Sequence, residues 1–380
     1  MHPSNIVRVG SVCVALVVGA CGFSPGKPVS GSGGSSNPGT GNQTGLGNFG
    51  GSSSGQGGLT GNGGSMECGA REMPSSKLPP DILIVQDASG SMNQDAMNMS
   101  CPNPGCGAAS KWALMIPAIN TVVQDTQTEV NWGLKLFADM GGACGVAPNT
   151  VAVPIAPMNA AAIMTALTGR TDAMGNVSNG SSTPTRAAEN AAVSYLTTLG
   201  MTDTNPKFIV LATDGQPNCP ASGQMGNDDT PGAVAAVTAA HTAGIPTFVV
   251  GISAGGAPEM ALNMMAVEGG YPQVGQPTQY YPVTSTAEFA TVLRTLVGMA
   301  TTCTFSVPPP PTTDGTTSRG DIAVKGTTAG GATEIPQNPT DGWTYTDANM
   351  TSVKLNGAAC AQVTDGTITV VTIVFHCHVP

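Results

Sequence analysis

Charge is scarce in this chain. Its 380 residues hold 13 Lys and Arg against 23 Asp and Glu, a charged fraction of 9 % and a net charge of −10. So thin a basic complement argues against a nucleic-acid partner, which needs clustered lysine and arginine. Histidine is scarcer still, with four residues. No serine or cysteine therefore stands out beside a histidine and an aspartate as a nucleophilic set. The glycine-rich stretch of residues 31–64 does not lead from a strand into a helix, which excludes a phosphate loop. Beyond the first twenty residues no run is long and apolar enough to cross a bilayer. The surface is left to be polar mainly through Ser, Thr, Asn and the 51 glycines.

What is present begins with a processing signal. Arg8 supplies a positive end, residues 9–20 form a short apolar run, and Val18-Gly19-Ala20-Cys21-Gly22 follows. This resembles a bacterial lipoprotein signal, with an ordinary secretory signal as the alternative. The resemblance implies that Cys21 is lipidated and becomes the first residue, anchored to a membrane by acyl chains. Glycine rather than aspartate at position 22 resembles outer-membrane sorting, so the expected place is the cell envelope, at the outer membrane or cell surface. Residues 21–65 are dominated by Gly, Ser, Asn and Thr and cannot bury enough apolar surface to fold, so they are expected to be a flexible tether.

From residue 66 to 303 apolar runs alternate with helical patterns. Residues 82–85, 130–137, 207–213 and 245–252 read as strands, and residues 111–127, 186–199, 232–243 and 287–299 as helices between or after them. Residues 151–155 return as an antiparallel strand after a short connection. The alternation predicts an α/β fold, doubly wound, with a mostly parallel central sheet flanked by helices. Residues 304–380 change character. A proline run at 308–311 is followed by short strands separated by turn residues, a small β-rich C-terminal appendage.

The first buried strand ends in Asp87-Ala88-Ser89-Gly90-Ser91. Three oxygen-bearing side chains alternate there, a spacing that lets them converge on a small hard cation. Taken alone, the stretch is equally well an ordinary strand-end turn. Two more stretches bear on it. Asp214 follows the strand of residues 207–213, and Thr183 lies in a loop just before a helix. In open parallel sheets ligands gather at the carboxyl ends of strands, near a topological switch point. Asp87, Ser89, Ser91, Thr183 and Asp214 can thus share one site. Two carboxylates and three hydroxyls suit Mg²⁺, with Mn²⁺ or Ca²⁺ as alternatives, and need no histidine or cysteine.

These three stretches, in this order and in these strand contexts, resemble the metal-ion-dependent adhesion site of a von Willebrand factor type A domain. The resemblance covers about residues 68–303. It implies that the two serines bind the metal directly, that Thr183 and the aspartates bind directly or through water, and that an open coordination position accepts a carboxylate from a protein partner. Ser182, where the family often has glycine, is a small departure. The expected function is an envelope-anchored, cation-dependent protein-binding module and not an enzyme. A metal-dependent hydrolase and a surface lipoprotein with a purely stabilising metal are the alternatives.

The resemblance also orders the cysteines. With Cys13 and Cys21 in the signal region, eight of the ten remain, an even number in an exported chain. The loops expected around the metal carry Cys101, Cys106, Cys144 and Cys219, which are expected to form two disulfides among themselves. Cys68 and Cys303 are expected to pair at the opposite end, and Cys360 and Cys377 within the appendage.

Overall fold

The computed structural model describes residues 70–377 except 103, 141, 222–225, 302 and 312–316. Cys21, the tether and Cys68 lie outside the described residues. In chain order the elements are β1 (Arg71–Pro74), β2 (Asp81–Asp87), α1 (Lys111–Thr126), β3 (Asn131–Phe137), β4 (Val153–Ala156), α2 (Ala160–Gly169), α3 (Thr185–Leu199), β5 (Lys207–Thr213), α4 (Thr230–Thr242), β6 (Thr247–Ile252), α5 (Ala257–Glu268), β7 (Tyr281–Val283) and α6 (Thr286–Ala300). The appendage follows with β8 (Thr304–Ser306), β9 (Thr317–Thr328), β10 (Gly331–Ile335), β11 (Gly342–Tyr345), β12 (Ser352–Asn356), α7 (Gly357–Thr364) and β13 (Val370–Cys377).

Ile82, Leu83, Ile84 and Val85 are fully buried because β2 is covered on both faces. Its even-numbered side chains meet Trp112, Met115 and Ile119 of α1 and Phe289 and Leu293 of α6 in one apolar core. Its odd-numbered side chains meet Ala188 and Leu196 of α3, Val237 of α4 and Leu262 of α5 in a second. The central sheet has the order β4-β3-β2-β5-β6-β7 and is parallel except for the β4 edge, as expected for a doubly wound α/β fold. The chain builds outward from β2 through β3 to β4, then returns to the other side of β2 with β5. The switch point therefore lies beside β2, and the carboxyl ends of β2 and β5 are neighbours.

The appendage packs a four-stranded sheet, β1-β13-β9-β10, against a three-stranded one, β11-β12-β8, around Phe305, Val324, Trp343, Leu355, Ile373 and Phe375. Two of its parts, a strand and a helix, are not legible in the sequence. β1 precedes the α/β domain and pairs antiparallel with β13, so the strand leading into the domain belongs to the appendage sheet. Helix α7 carries Cys360, which is bonded to Cys303 just past α6. That bond corrects both expected pairings of this end, Cys68 with Cys303 and Cys360 with Cys377. The cause is α7: a helical turn after β12 brings Cys360 to the end of α6.

Candidate metal site

The site is assembled by backbone before any side chain is considered. Gly90 N donates to Ser181 O at 2.8 Å, so the turn after β2 runs against the loop that precedes α3. Gly180 makes the close approach possible, since a Cβ there would stand 2.9 Å from the Gly90 Cα. Thr183 is then fixed by a reciprocal pair. Its N–H donates to Asn218 Oδ1 at 2.7 Å, and the Asn218 N–H donates back to the Thr183 carbonyl at 3.2 Å. Gly215 closes the ring from the β5 side. A Cβ on it would lie 3.2 Å from Thr183 Oγ1 and 3.7 Å from Ser91 Oγ, so both hydroxyls point at one small space.

The side chains complete a chain of oxygens. Asp87, fully buried, accepts the Ser89 N–H on Oδ1 at 2.7 Å and the Thr213 hydroxyl on Oδ2. Ser89 Oγ and Ser91 Oγ are 2.9 Å apart, and Ser91 donates to Asp214 Oδ1 at 2.8 Å. Ser91, Thr183, Asp214 and Gly215 line a cavity of about 620 Å³ that also takes in Gln94, Asn98 and Asn218. The structure thus brings all five sequence-predicted residues to the edge where β2 and β5 end.

Electrostatics favour a cation there. The Asp87 carboxyl is pushed up to about 7, first by burial and then by the negative charge of Asp214, against hydrogen bonds from Thr213 and Ser89. A cation would relieve that surplus of negative charge. The donors are all hard oxygens, two carboxylates and three hydroxyls, which fits Mg²⁺ or a similar divalent ion and not a thiolate or imidazole metal. Among the described residues no group of three His, Cys, Asp or Glu gathers anywhere, so the hydroxyls are essential to this set.

Two disulfides brace the edge. Cys101–Cys106 closes a short loop behind the Ser91 turn, and Cys144–Cys219 ties the loop after β3 to the loop after β5 across a separation of 75 residues. In the loop-entropy model the longer closure is worth about 4 kcal/mol and the shorter about half that.

Residues that the sequence reading passed over hold the site as firmly. Thr213 and Asn218 anchor Asp87 and Thr183, and nothing in a threonine at a strand end or an asparagine in a loop marks that role. Lys111 is the larger omission. Its ammonium lies 2.5 Å from Asp214 Oδ2, and both side chains are buried. The available signal was its position. A lysine opening a helix sits against the helix dipole and so needs an external reason.

Comparison with known proteins adds the family. The model of the von Willebrand factor type A domain matches residues 81–294, more than half of the chain. Similar solved structures include a manganese-loaded TRAP protein of Plasmodium vivax, 16 % identical, covering 60 % of this chain and 76 % of that one with a TM-score of 0.41. A mutant PilB minor pilin of Streptococcus sanguinis is 13 % identical and covers 60 % of this chain and 62 % of that one, with a TM-score of 0.43. The pilus adhesin SpaC of Lactobacillus rhamnosus GG, in an open conformation, is 15 % identical and covers 78 % of this chain and 38 % of that one, with a TM-score of 0.42. The chain therefore spans less than two thirds of the pilin and of the adhesin. Comparison with curated proteins gives no match. On the family match, with β2 opening the matched region and α6 closing it, the chain belongs to the von Willebrand factor type A domain family.

Proposed function

We propose that this protein is a non-enzymatic, envelope-anchored binding module that captures a protein partner through a divalent cation, Mg²⁺ by preference. The observation that carries the reading is the continuous oxygen chain Ser89–Ser91–Asp214, with Asp87 behind it, opening into the cavity beside Thr183. Asp87, Ser89, Ser91, Thr183 and Asp214 would hold the ion. When bound, the cation neutralises the two carboxylates and offers a position to an acidic side chain of the partner.

The chain's own residues do the rest. Asp87 and Thr213 fix the floor, the reciprocal Thr183–Asn218 bonds hold the third loop in register, and the two disulfides resist splaying of the rim. Preorganisation of this kind lowers the ordering cost of capture. Attachment is assigned to the acyl chains of Cys21, on the lipoprotein-like signal that ends at Val18-Gly19-Ala20-Cys21.

Capture from envelope extract, compared in Mg²⁺ and in EDTA, tests the reading. Retention in Mg²⁺ that is lost in EDTA, and lost in a Ser89→Ala/Ser91→Ala variant, is the expected result. Undiminished retention in EDTA would sink the metal-bridged mechanism.

A further inference from the structure

Lys111 is the first residue of α1, directly after the N-cap Ser110. Three things oppose a lysine there. The helix N-terminus carries partial positive charge, the side chain is 1 % exposed, and lysine is almost never buried without partners. Its partners are both on the loops at the carboxyl edge of the sheet. The ammonium pairs with Asp214 Oδ2 at 2.5 Å and donates to Asn98 Oδ1 at 2.6 Å. Asn98 is itself tied to the loop after β6, through Nδ2 to Ser253 O at 2.8 Å. Asp214 is thus divided between two duties: Oδ1 faces the serine hydroxyls and Oδ2 faces the ammonium.

We propose that Lys111 is an internal counter-cation of the site, competing with a divalent ion for Asp214 and leaving the loaded site with a net positive charge that selects an acidic ligand. This rests on the reading of the five residues as a cation site. Formal charge gives the logic. Two aspartates alone would be neutralised by one divalent ion, and a partner carboxylate would then gain the coordination bond without any net charge to draw it in. With the Lys111 ammonium included, the Asp87, Asp214 and Lys111 set is formally one charge negative without the ion and one charge positive with it; Asp228, outside this set, also lines the cavity. The same lysine that weakens metal binding therefore strengthens the pull on the partner's carboxylate. It also holds Asp214 in place when no ion is bound, so the loops are not forced apart by two bare carboxylates.

The test uses the metal-stripped protein and Mg²⁺ alone, followed by calorimetry. Lys111→Met keeps the length and removes the charge; Lys111→Gln keeps a donor and removes the charge, and covers the case in which the first variant folds poorly. Both neutral variants are expected to bind Mg²⁺ at least tenfold tighter than the wild type. Equal or weaker binding in the variants, with binding intact in the wild type, overturns the role of Lys111 and spares the cation site. Absence of Mg²⁺ binding in all three proteins overturns both. The selectivity half is read with acetate as the probe. Mn²⁺-loaded wild type should broaden the acetate methyl resonance at concentrations where the loaded Lys111→Met protein does not, and equal broadening contradicts it.

Discussion

Strand β2 begins and ends with an aspartate, and both are buried. Asp81, at the amino end, accepts from Asn131 at 2.9 Å and Asn205 at 3.2 Å and faces the Lys207 ammonium at 3.3 Å. Both amides donate to Oδ1, while Oδ2 faces the ammonium without a hydrogen bond among the described residues, and burial still raises the carboxyl. Asp87, at the carboxyl end, has a backbone N–H and a threonine hydroxyl but no basic partner, and its nearest charge is another carboxylate. The same residue type on one strand thus does two jobs. Where fixed amides and an ammonium face it, it fastens strands; where its nearest charge is another carboxylate, it is fit to share an ion.

The contrast can be broken most forcefully at Asp214. Replacing it with alanine strands the buried Lys111 ammonium, a loss on the order of 3–5 kcal/mol. The double variant Lys111→Met/Asp214→Ala should recover most of that loss in a denaturant melt while still failing to bind Mg²⁺. A stable single variant would show that the ion pair is not a buried one in solution.

At the other end, Asp81→Asn removes the charge that faces Lys207 and keeps much of the shape. A loss of about 2 kcal/mol is expected from the weakened charge-assisted contacts, with Mg²⁺ affinity unchanged by calorimetry. A change in affinity would mean that the two ends of β2 are coupled.

A third buried carboxyl sharpens the comparison. Glu189 on α3 is fully buried, neither of its oxygens meets a hydrogen-bond donor among the described residues, and burial raises it to about 8. Its proton is retained in the folded state and lost in the unfolded one between the ordinary glutamate value of 4.5 and about 8. Stability is therefore present below that window and falls as pH rises through it, at most about 1.4 kcal/mol per unit. Glu189→Gln should reduce this slope in melts recorded from pH 4.5 to 8.5, most cleanly above about pH 7, beyond the value of the other strongly raised carboxyl, Asp87. A slope of the same steepness in the variant would assign it to other groups.

Peptide mapping without reduction should show a smaller but definite result. Cys101–Cys106, Cys144–Cys219 and Cys303–Cys360 are the expected linkages. Cys303 recovered in any other linkage would contradict this.

The alternation of buried strands and amphipathic helices made the α/β fold readable, because the strands around residues 82–85, 207–213 and 245–252 are apolar runs bounded by turn residues. The five candidate oxygen residues were readable because four of them lie at or just past the ends of buried strands and Thr183 opens the way into a helix, in a fixed order. Lys111 and Glu189 were not. Their meaning comes from which loops and cores they enter, and a lone lysine or glutamate in a helical stretch has an unremarkable surface position as its simplest explanation. β1 was hidden for a different reason. Four residues, Arg-Glu-Met-Pro, have no strand pattern of their own and become a strand only because β13 offers an edge. The error over Cys303 and Cys360 has the same root, since α7 lies in a segment whose composition suggested only turns.

The central property proposed for the edge where β2 and β5 end is divalent-ion binding through its hydroxyls. Calorimetric titration of Mg²⁺ into the metal-stripped protein, wild type against Ser89→Ala/Ser91→Ala, measures that directly. One saturable site in the wild type, with binding abolished in a variant that melts as the metal-free wild type does, is the predicted result. Equal binding by the two proteins, or no binding by the wild type, would contradict it.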